Sequence, residues 1–294
     1  MTGVLLLDKP EGVTSAGVIR ALKPRLAGTK VGHLGTLDPF ASGLLPLCLG
    51  EATKVARYLL AEDKAYDGTI RLGTATDTLD REGATIETQA VPALDPAALA
   101  AVAARFVGPQ KQVPPMFSAL KRGGVPLYKL ARKGIEVARE ARDVEVTRFA
   151  LTLAAPDRID FSVACSKGTY VRVLAADVGR ALGTVAHLEH LRRTRVGRFG
   201  VEEAASLAAI EALPIGAPLP LLNVRTVLAE YRSFEAADEV LVRLRQGRQD
   251  VLTTFPAPAA GETALIIDAL GGVAAVIEAQ GTGPWRLVRL LTSG

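Results

Sequence analysis

The sequence predicts an α+β fold, with a central sheet flanked by helices and a small β-rich module after it. Strand-like and helix-like segments alternate irregularly, and several neighbouring strands have no helix between them, which favours this class over a doubly wound sheet. Three prolines and a glycine then interrupt the pattern at residues 212–222, as in a linker. The three short apolar strands that follow, separated by glycine turns, form a module of about 60–70 residues.

The first elements of the chain are set by apolar runs and their spacing. A strand is predicted at 3–7, and an amphipathic helix at 14–26, which Thr14 or the serine that follows it can cap. A second apolar run predicts a strand at 43–49. The spacing at 51–61 is helical, with three apolar side chains on one side.

The next elements combine alternation with helix-start signals. Alternation predicts strands at 64–73 and 84–90, and the pair Asp95–Pro96 introduces an alanine-rich helix over 95–106. Two prolines break any regular element between residues 110 and 116.

The middle third is again mixed. A helix is predicted at 126–133, strands are predicted at 143–154 and 158–165, and a helix that Thr169 can cap follows over 169–182. No repeat of fixed period is present.

The composition is that of a globular protein. Of its 294 residues 49% are hydrophobic and 22% charged, which excludes wholesale disorder. The two cysteines, Cys48 and Cys165, exclude a disulfide framework and leave no paired spacing for a structural zinc. No apolar run approaches the roughly 18 residues that a membrane span needs. We therefore expect a cytoplasmic protein.

Basic residues cluster late in this part of the chain. The formal net charge is only +4, but LRRTRVGRFG carries Arg192, Arg193, Arg195 and Arg198 without an acid. Such an arginine strip is a candidate track for nucleic-acid phosphates. A solvated basic strand edge explains it equally well.

Nucleotide and metal motifs are missing from the sequence. There is no GxxxxGK[ST] loop, and no GxGxxG follows a strand. His187 and His190 lie three residues apart on a predicted strand and face opposite sides, which suits polar or partly buried histidines better than metal ligands. We therefore predict no metal site.

One glycine-dense segment, VGHLGTLDPF, contains a histidine and an aspartate. Gly32 and Gly35 flank His33, and such glycines let the backbone approach another body closely. Asp38 follows and is either a turn former before Pro39 or a chemically active carboxylate.

Two other segments carry candidate residues. Tyr66 stands in KAYDGTIRLG and is either an amphipathic core tyrosine or part of a site. Arg172 stands in CSKGTYVR, in the first turns of a predicted helix, from where it can hold a carboxylate in a bidentate pair. A surface ion pair of little value is the alternative for this arginine. Spacing alone does not decide between these readings.

Taken together, these segments closely resemble the TruB family of tRNA pseudouridine synthases. The blocks that match in order are LLLDKPEGVTS, GHLGTLDPFASGLLPLCLGEATK, KAYDGTIRLGTATDTLDREG, QVPPMFSALKRGGVPLYKLARKG, CSKGTYVRVLAADVG and HLEHLRRTRVGRF. The resemblance implies a pseudouridine synthase fold, with a mixed, mainly antiparallel central sheet flanked by helices. It also implies a catalytic domain over 1–226 and a PUA-like RNA-binding domain over 227–294.

The resemblance further implies roles for the site residues. Asp38 matches the nucleophilic aspartate of the family, Tyr66 the tyrosine that stacks on the target base, and Arg172 the arginine that pairs with the aspartate. His33 matches a histidine that enters the RNA loop vacated by the flipped nucleotide. Leu191 matches an apolar residue of the pocket wall.

Other positions follow the same comparison. Lys9 matches a lysine near the pocket that supports the N-terminal strand, and Tyr170 is expected to pack beside the arginine two residues later. Gly32 and Gly35 are expected to let their loop approach RNA. One position departs from the pattern, because Leu34 stands where many relatives carry threonine.

The implied reaction converts uridine 55 in the T loop of tRNA to pseudouridine. The bond between N1 and C1′ breaks, the base turns, and C5 bonds to C1′, with no cofactor. Extruding the base costs a few kcal/mol, and stacking on an aromatic ring returns roughly 1–3 kcal/mol. The arginine strip is expected to contact the T-arm backbone, and the C-terminal module to grip the acceptor stem.

Two rival functions share part of this pattern. A non-catalytic tRNA-folding chaperone would use the same basic surface, but the combination of Asp38, Tyr66 and Arg172 favours the enzyme. A guide-RNA-dependent relative is disfavoured by the compact tail, which has no long charged extension. Because one site and one RNA suffice, we expect a monomer.

Overall fold

The computed structural model describes residues 1–60 and 62–292, and its elements are named here in chain order. The strands of the larger, N-terminal part are β1 (Gly3–Lys9), β2 (Val31–His33), β3 (Ser42–Leu49), β4 (Lys64–Leu72), β5 (Thr74–Thr76), β6 (Thr85–Thr88), β7 (Gly108–Gln112), β8 (Lys121–Arg122), β9 (Val125–Pro126), β10 (Arg142–Ala155), β11 (Arg158–Cys165), β12 (Ala186–Val196), β13 (Phe199–Gly200), β14 (Ala205–Ser206) and β15 (Leu221–Leu222). The C-terminal strands are β16 (Arg232–Glu235), β17 (Thr263–Ile267), β18 (Val273–Ala279) and β19 (Trp285–Leu290).

The helices are α1 (Ser15–Leu22), α2 (Ala56–Leu60), α3 (Pro96–Arg105), α4 (Leu127–Ala131), α5 (Val171–Ala181), α6 (Leu207–Ala212), α7 (Val224–Val227) and α8 (Asp238–Arg245). Short 3₁₀ helices lie at Lys23–Arg25, Gly50–Lys54, Val201–Glu203 and Gln249–Thr254. Over the described ranges, no helix is long and apolar enough to cross a membrane.

A mixed sheet of eleven strands forms the centre of the described part of the chain. Its order is β14-β1-β3-β12-β4-β11-β10-β7, with β15, β2 and β13 attached to β1, β3 and β12. Most neighbours are antiparallel, but β1 runs parallel to β14 and β3 runs parallel to β12. The predicted fold class, a mixed and mainly antiparallel sheet with helices, is confirmed.

A second sheet of four strands lies near the C-terminus, in the order β16-β17-β18-β19. Its last three strands correspond to the three apolar strands expected from the glycine turns. The first strand, β16, was not predicted, because four residues of sequence RSFE carry too short a pattern, and it runs parallel to β17.

Helix starts follow the capping residues in the sequence. The Asp95 carboxylate accepts a hydrogen bond from the Ala98 amide at 2.7 Å, and Pro96 occupies the first turn of α3. Thr14 caps α1 by accepting from the Gly17 amide at 2.8 Å. Both helices therefore begin where predicted.

Three predicted helices are shorter than expected. The helix predicted over 14–26 ends at Leu22 because Pro24 has no amide proton to continue it, and a 3₁₀ helix follows. The segment predicted over 51–61 divides into a 3₁₀ helix and α2, and its predicted last residue, Ala61, lies outside the described residues. The helix predicted over 126–133 is reduced to α4.

Helix α5 starts later than predicted. Thr169 does not cap it, because its hydroxyl donates to the Ser166 carbonyl at 2.9 Å instead. The helix begins at Val171, after Tyr170.

The large sheet has a hydrophobic core on each face. Alternation along β1 sends Leu5 into a core shared with α1, α3 and α5, while Val4 and Leu6 point to the other face. There they belong to one cluster with Leu265 of β17 and Val276 of β18. The C-terminal sheet thus shares a hydrophobic cluster with the first strand of the chain.

Candidate active site

The loop between β2 and β3 carries Asp38 and is held at both ends. Ser15, at the start of α1, exchanges two hydrogen bonds with Leu37, donating to its carbonyl at 3.1 Å and accepting from its amide at 3.0 Å. Phe40 and Ala41 are buried in the core on the other side of the aspartate. Asp38 itself stays 35% exposed. The chain therefore fixes this carboxylate at the edge of the core without enclosing it.

Lys9 supports the same loop from the end of β1. Its side chain is fully buried, and its Nζ donates to the carbonyls of Pro10 at 2.9 Å, Val13 at 2.7 Å and Pro39 at 3.2 Å. Burial lowers the pKa of Lys9 to about 8, against the opposing charge of Asp38. These contacts agree with the supporting role near the pocket that the resemblance implies, and burial excludes Lys9 from the residues that contact RNA.

Arg172 of α5 joins two carboxylates that are distant in sequence. Its Nε lies 3.1 Å from Asp38 Oδ2, and its Nη1 lies 3.2 Å from Asp80 Oδ2. The remaining donors bind the carbonyls of Thr78 at 3.0 Å and Phe117 at 2.6 Å. A guanidinium with this many fixed partners cannot turn away from Asp38, so it orients the carboxylate.

The electrostatic balance at Asp38 has two opposing parts. Burial raises the pKa of the Asp38 carboxyl above its usual value of 3.8, and the charge of Arg172 lowers it. The nearby charges of Asp80 and Lys9 add smaller contributions of opposite sign. The net direction is upward, so the folded protein resists ionisation of this carboxyl more than water does.

A cavity of about 650 Å³ opens beside this ion pair. Its walls include Asp38, Tyr66, Tyr170, Arg172, Leu191 and Arg193. Tyr66 and Leu191 come from the adjacent strands β4 and β12, and both are almost fully buried. One carboxylate, one aromatic ring and one apolar side chain thus face a space large enough for a single base.

Tyr170 stands at the junction between β11 and α5. Its amide donates to Gln112 Oε1 at 2.7 Å, and its carbonyl accepts from Gln112 Nε2 at 3.1 Å. Because Gln112 ends β7, this double contact ties the far edge of the sheet to the start of α5. It therefore fixes the position from which Arg172 reaches into the cavity.

His33 ends β2 and is not among the residues that line the cavity, which in this loop begin with Gly35. Its Nδ1 is buried and has no hydrogen-bond partner among residues 1–60 and 62–292. Burial, together with the charge of Arg193, lowers the pKa of His33 below 6.5, so the ring is neutral near pH 7. Gly35 beyond it has a φ of +78°, whereas Gly32 does not adopt a positive φ. Only Gly35 of these two therefore needs glycine for its backbone.

The arginine strip divides into residues with different roles. Arg195 and Arg198 are exposed, and Arg198 donates to the Thr226 carbonyl. Arg192 is half-buried and binds both oxygens of Asp8, at 2.7 and 3.0 Å. Arg193 is only 1% exposed, which corrects its assignment to the strip, because a phosphate contact requires an accessible guanidinium.

Three residues at this site escaped sequence reasoning. Asp80 had no motif of its own, although it falls within TATDTLDREG, a block of the resemblance. Ser15 was expected to cap a helix, and Gln112 lies next to prolines that indicated only a break. The signal for each is a contact with a distant segment, which spacing does not encode.

In the part of the chain that the structure describes, no three His, Cys, Asp or Glu side chains come together as metal ligands.

Comparison with known proteins gives matches along nearly the whole chain. The family model described as "TruB family pseudouridylate synthase (N terminal domain)" matches residues 22–171, and "tRNA pseudouridylate synthase B C-terminal domain" matches residues 172–215. A tRNA pseudouridine synthase B from Nitrosococcus oceani is 44% identical over 97% of this chain and 94% of its own length. One from Aromatoleum aromaticum is 54% identical over 75% of this chain and 71% of its own.

Among solved structures, a crystal structure of a Cbf5-Nop10-Gar1 complex contains a chain with a TM-score of 0.71 and 23% identity. The match covers 99% of this chain and 85% of that chain, and it supports the α+β fold described above. Together with the ion-paired aspartate in the cavity wall, these matches define the class of protein as a pseudouridylate synthase. More narrowly, the chain belongs to the TruB family.

Proposed function

We propose that this protein isomerises uridine to pseudouridine at position 55, in the T loop of tRNA. The observation that carries the proposal is the Asp38 carboxylate, paired with Arg172 at 3.1 Å and open to a cavity that Tyr66 also lines. Relatives of this chain that share 44–54% identity are named tRNA pseudouridine synthase B. The reaction is therefore supported by both the site and the family.

The roles of the side chains follow from their places in the cavity. Asp38 supplies the ionised carboxylate that acts when the N1–C1′ bond breaks, and Arg172 holds it in place. Tyr66 and Leu191 enclose the extruded base, which has left its stack before any side chain can reach it. His33, neutral and with a free ring nitrogen, occupies the space that the base leaves in the RNA. The isomerisation transfers no electrons and no external group, so we propose no cofactor.

RNA contacts outside the cavity are part of the same proposal. Arg195, Arg198 and the exposed part of Arg192 form the basic surface for the T-arm backbone.

We propose a domain division at residues 1–226 and 227–294, since β15 belongs to the large sheet and β16 to the small one. In the second unit, as a PUA-like module, Arg245 and Arg286 are exposed and can contact phosphates.

The partner and the setting complete the proposal. The substrate is a tRNA, recognised as a T stem-loop without a guide RNA, by a monomer in the cytoplasm. The Cbf5 complexes share the fold of this chain, but at 23% identity they say nothing of a guide RNA here. Mass measurement of the protein mixed with one T stem-loop tests the one-to-one stoichiometry.

The test of the activity is release of tritium from C5 of uridine in tRNA. The purified protein is expected to release it, and Asp38→Asn is expected to abolish release while tRNA affinity stays within severalfold. Asp177→Asn, in a surface pair with Arg180, is the matched control and should release tritium at the wild-type rate. Release by Asp38→Asn would refute the role of Asp38. A wild-type protein that binds and refolds tRNA without release would support the chaperone function instead.

A further inference from the structure

Arg193 is a buried cation without an acidic partner. Its Nε donates to the Leu44 carbonyl at 2.7 Å, and its Nη2 donates to the Gly35 carbonyl at 3.1 Å. Among the residues described, no carboxylate lies within ion-pair distance of it. Its neighbour Arg192, in contrast, points the other way and pairs with Asp8.

Such a group is costly to retain. An arginine does not lose its proton in a protein, and a buried charge without a counter-charge is unfavourable even when carbonyl dipoles surround it. Burial accordingly lowers the pKa of Arg193 from its usual value. An apolar residue would fill the same volume at lower cost, so the charge calls for an explanation beyond packing.

The sheet places this charge directly beside Tyr66. Arg193 of β12 and Tyr66 of β4 are paired across the strands, and both line the cavity that contains Asp38. As cross-strand partners, the two side chains lie on the same face of the sheet, which brings the guanidinium close to the Tyr66 side chain. The position is rigid, because β12 also pairs with β3, where a Cβ at Gly43 would lie 2.2 Å from the Arg193 carbonyl oxygen.

We propose that Arg193 is a positioning residue for Tyr66: its guanidinium orients the tyrosine oxygen and stabilises the phenolate form, which accepts the proton from C5 of the rearranged base. This inference rests on the proposed function. The counter-charge that Arg193 lacks in the resting protein is then the phenolate itself.

The proton step balances without any further reagent. Once C5 has bonded to C1′, it carries one hydrogen too many for an aromatic ring. The C5–H bond breaks, the proton passes to the Tyr66 oxygen, and the electron pair forms the C5=C6 double bond, while N1 takes up a proton from solvent. Because Tyr66 is the phenol in the resting protein, it gives a proton to solvent before this step, and the proton from C5 restores the phenol. Arg193 is unchanged.

The other charges around Tyr66 oppose its ionisation. Burial raises the pKa of Tyr66, as do Cys165 on β11 and Asp38 in its loop. Arg193 alone among these groups lowers that pKa. The guanidinium therefore decides how readily the phenolate forms.

The first test is a double-mutant cycle on single-turnover tritium release. Arg193→Met and Arg193→Gln are expected to reduce the rate about 100-fold, as for loss of one donor to a developing oxyanion, with tRNA affinity within severalfold. In a Tyr66→Phe background, neither change should reduce the rate further. With Tyr66 present, Arg193→Lys should retain part of the rate that Arg193→Met loses. Arg180→Met removes an exposed arginine and should leave the rate unchanged. Losses that multiply in the double variant would show a merely structural role and overturn the proposal.

The second test does not depend on activity. A difluorotyrosine at position 66 has a more acidic phenol, whose ionisation is followed by absorbance in the free protein. Arg193→Met or Arg193→Gln is expected to move this titration to higher pH, and an unchanged titration would overturn the inference. If the wild type released no tritium but the titration moved, the proposed function would fail while the Arg193–Tyr66 coupling stood.

Discussion

Asp80 and Arg172 form an ion pair in which each side chain is only 6% exposed, although 92 residues separate them in the chain. The arginine that faces Asp38 is thus anchored by a second carboxylate that lies behind it. Asp80 is itself fixed, since it accepts from the Thr78 hydroxyl at 2.6 Å and the Glu82 amide at 3.0 Å. The orientation of Arg172 therefore depends on the loop after β5 as much as on α5.

Removing Asp80 is expected to destabilise the protein. Asp80→Ala leaves the buried guanidinium of Arg172 with one carboxylate fewer, and breaking a buried ion pair in this way lowers the free energy of unfolding by about 3–5 kcal/mol. Because Arg172 keeps its contacts to backbone carbonyls, we expect a value at the lower end of this range. Urea unfolding measures the change, and Asp80→Asn, which keeps a hydrogen-bond acceptor, should lose less. Wild-type stability in Asp80→Asn would show that the charge of Asp80 has no part in the stability.

Asp38 is expected to make stability fall as pH rises. Because burial raises its pKa in the folded protein, the folded state binds a proton more tightly than the unfolded chain does just above pH 3.8. The wild type therefore loses stability relative to Asp38→Asn as pH rises through the raised pKa, and the difference then becomes constant. Urea titrations of both proteins between pH 4 and 8 test this, and a wild type that gained stability relative to Asp38→Asn as pH rose would contradict it.

Lys9 is expected to have the opposite dependence at alkaline pH. Its pKa of about 8 lies below the usual 10.5, so between these values the unfolded chain binds a proton that the folded protein does not. Stability of the wild type should rise with pH across this window relative to Lys9→Met. Unfolding free energies of both proteins at pH 7.5 and 9.5 give the comparison, and parallel changes would exclude a lowered pKa.

Gly43 is expected to tolerate no side chain. Its φ is +102°, and a Cβ would lie 2.2 Å from the Arg193 carbonyl oxygen, so Gly43→Ala must separate β3 from β12. We expect a loss of about 2–4 kcal/mol in unfolding free energy. Gly32→Ala is the control, because no atom lies within 4 Å of its Cβ position. Similar losses at both positions would refute the explanation by close approach.

Arg195 is expected to contribute one phosphate contact. Arg195→Gln should weaken tRNA binding and reduce the slope of log affinity against log salt by about 0.7–0.9, the value for one released counterion. Filter binding between 50 and 200 mM salt measures it. Arg148 is an exposed arginine on β10, and Arg148→Gln is the control, for which the slope should not change. An unchanged slope for Arg195→Gln would remove it from the RNA-binding surface.

Local signals in the sequence identified the elements of the fold well. The Asp95–Pro96 start of α3 and the apolar run of β1 each act through neighbouring residues, and the structure contains both elements. The 3₁₀ helices and β16 are only three to six residues long, and sequence patterns of that length are too short to detect.

The site was predicted less evenly. Asp38, Tyr66 and Arg172 were located through a family resemblance, and they line the same cavity. Arg193 was grouped with its neighbours by charge, whereas alternation along a strand already turns it away from Arg192. Asp80 and Gln112 could not be found, because their partners lie 92 and 58 residues away.

The cluster that joins β1 to β17 and β18 bears on how such proteins diversify. Exchanging the C-terminal unit between relatives would change part of the cluster to which Val4 and Leu6 belong, and each of its side chains left in water would cost about 1.5–3 kcal/mol. A successful hybrid therefore has to inherit its opening strand together with its tail. Both ends of the chain thus build one interior, and a change at either end alters the surroundings of the other.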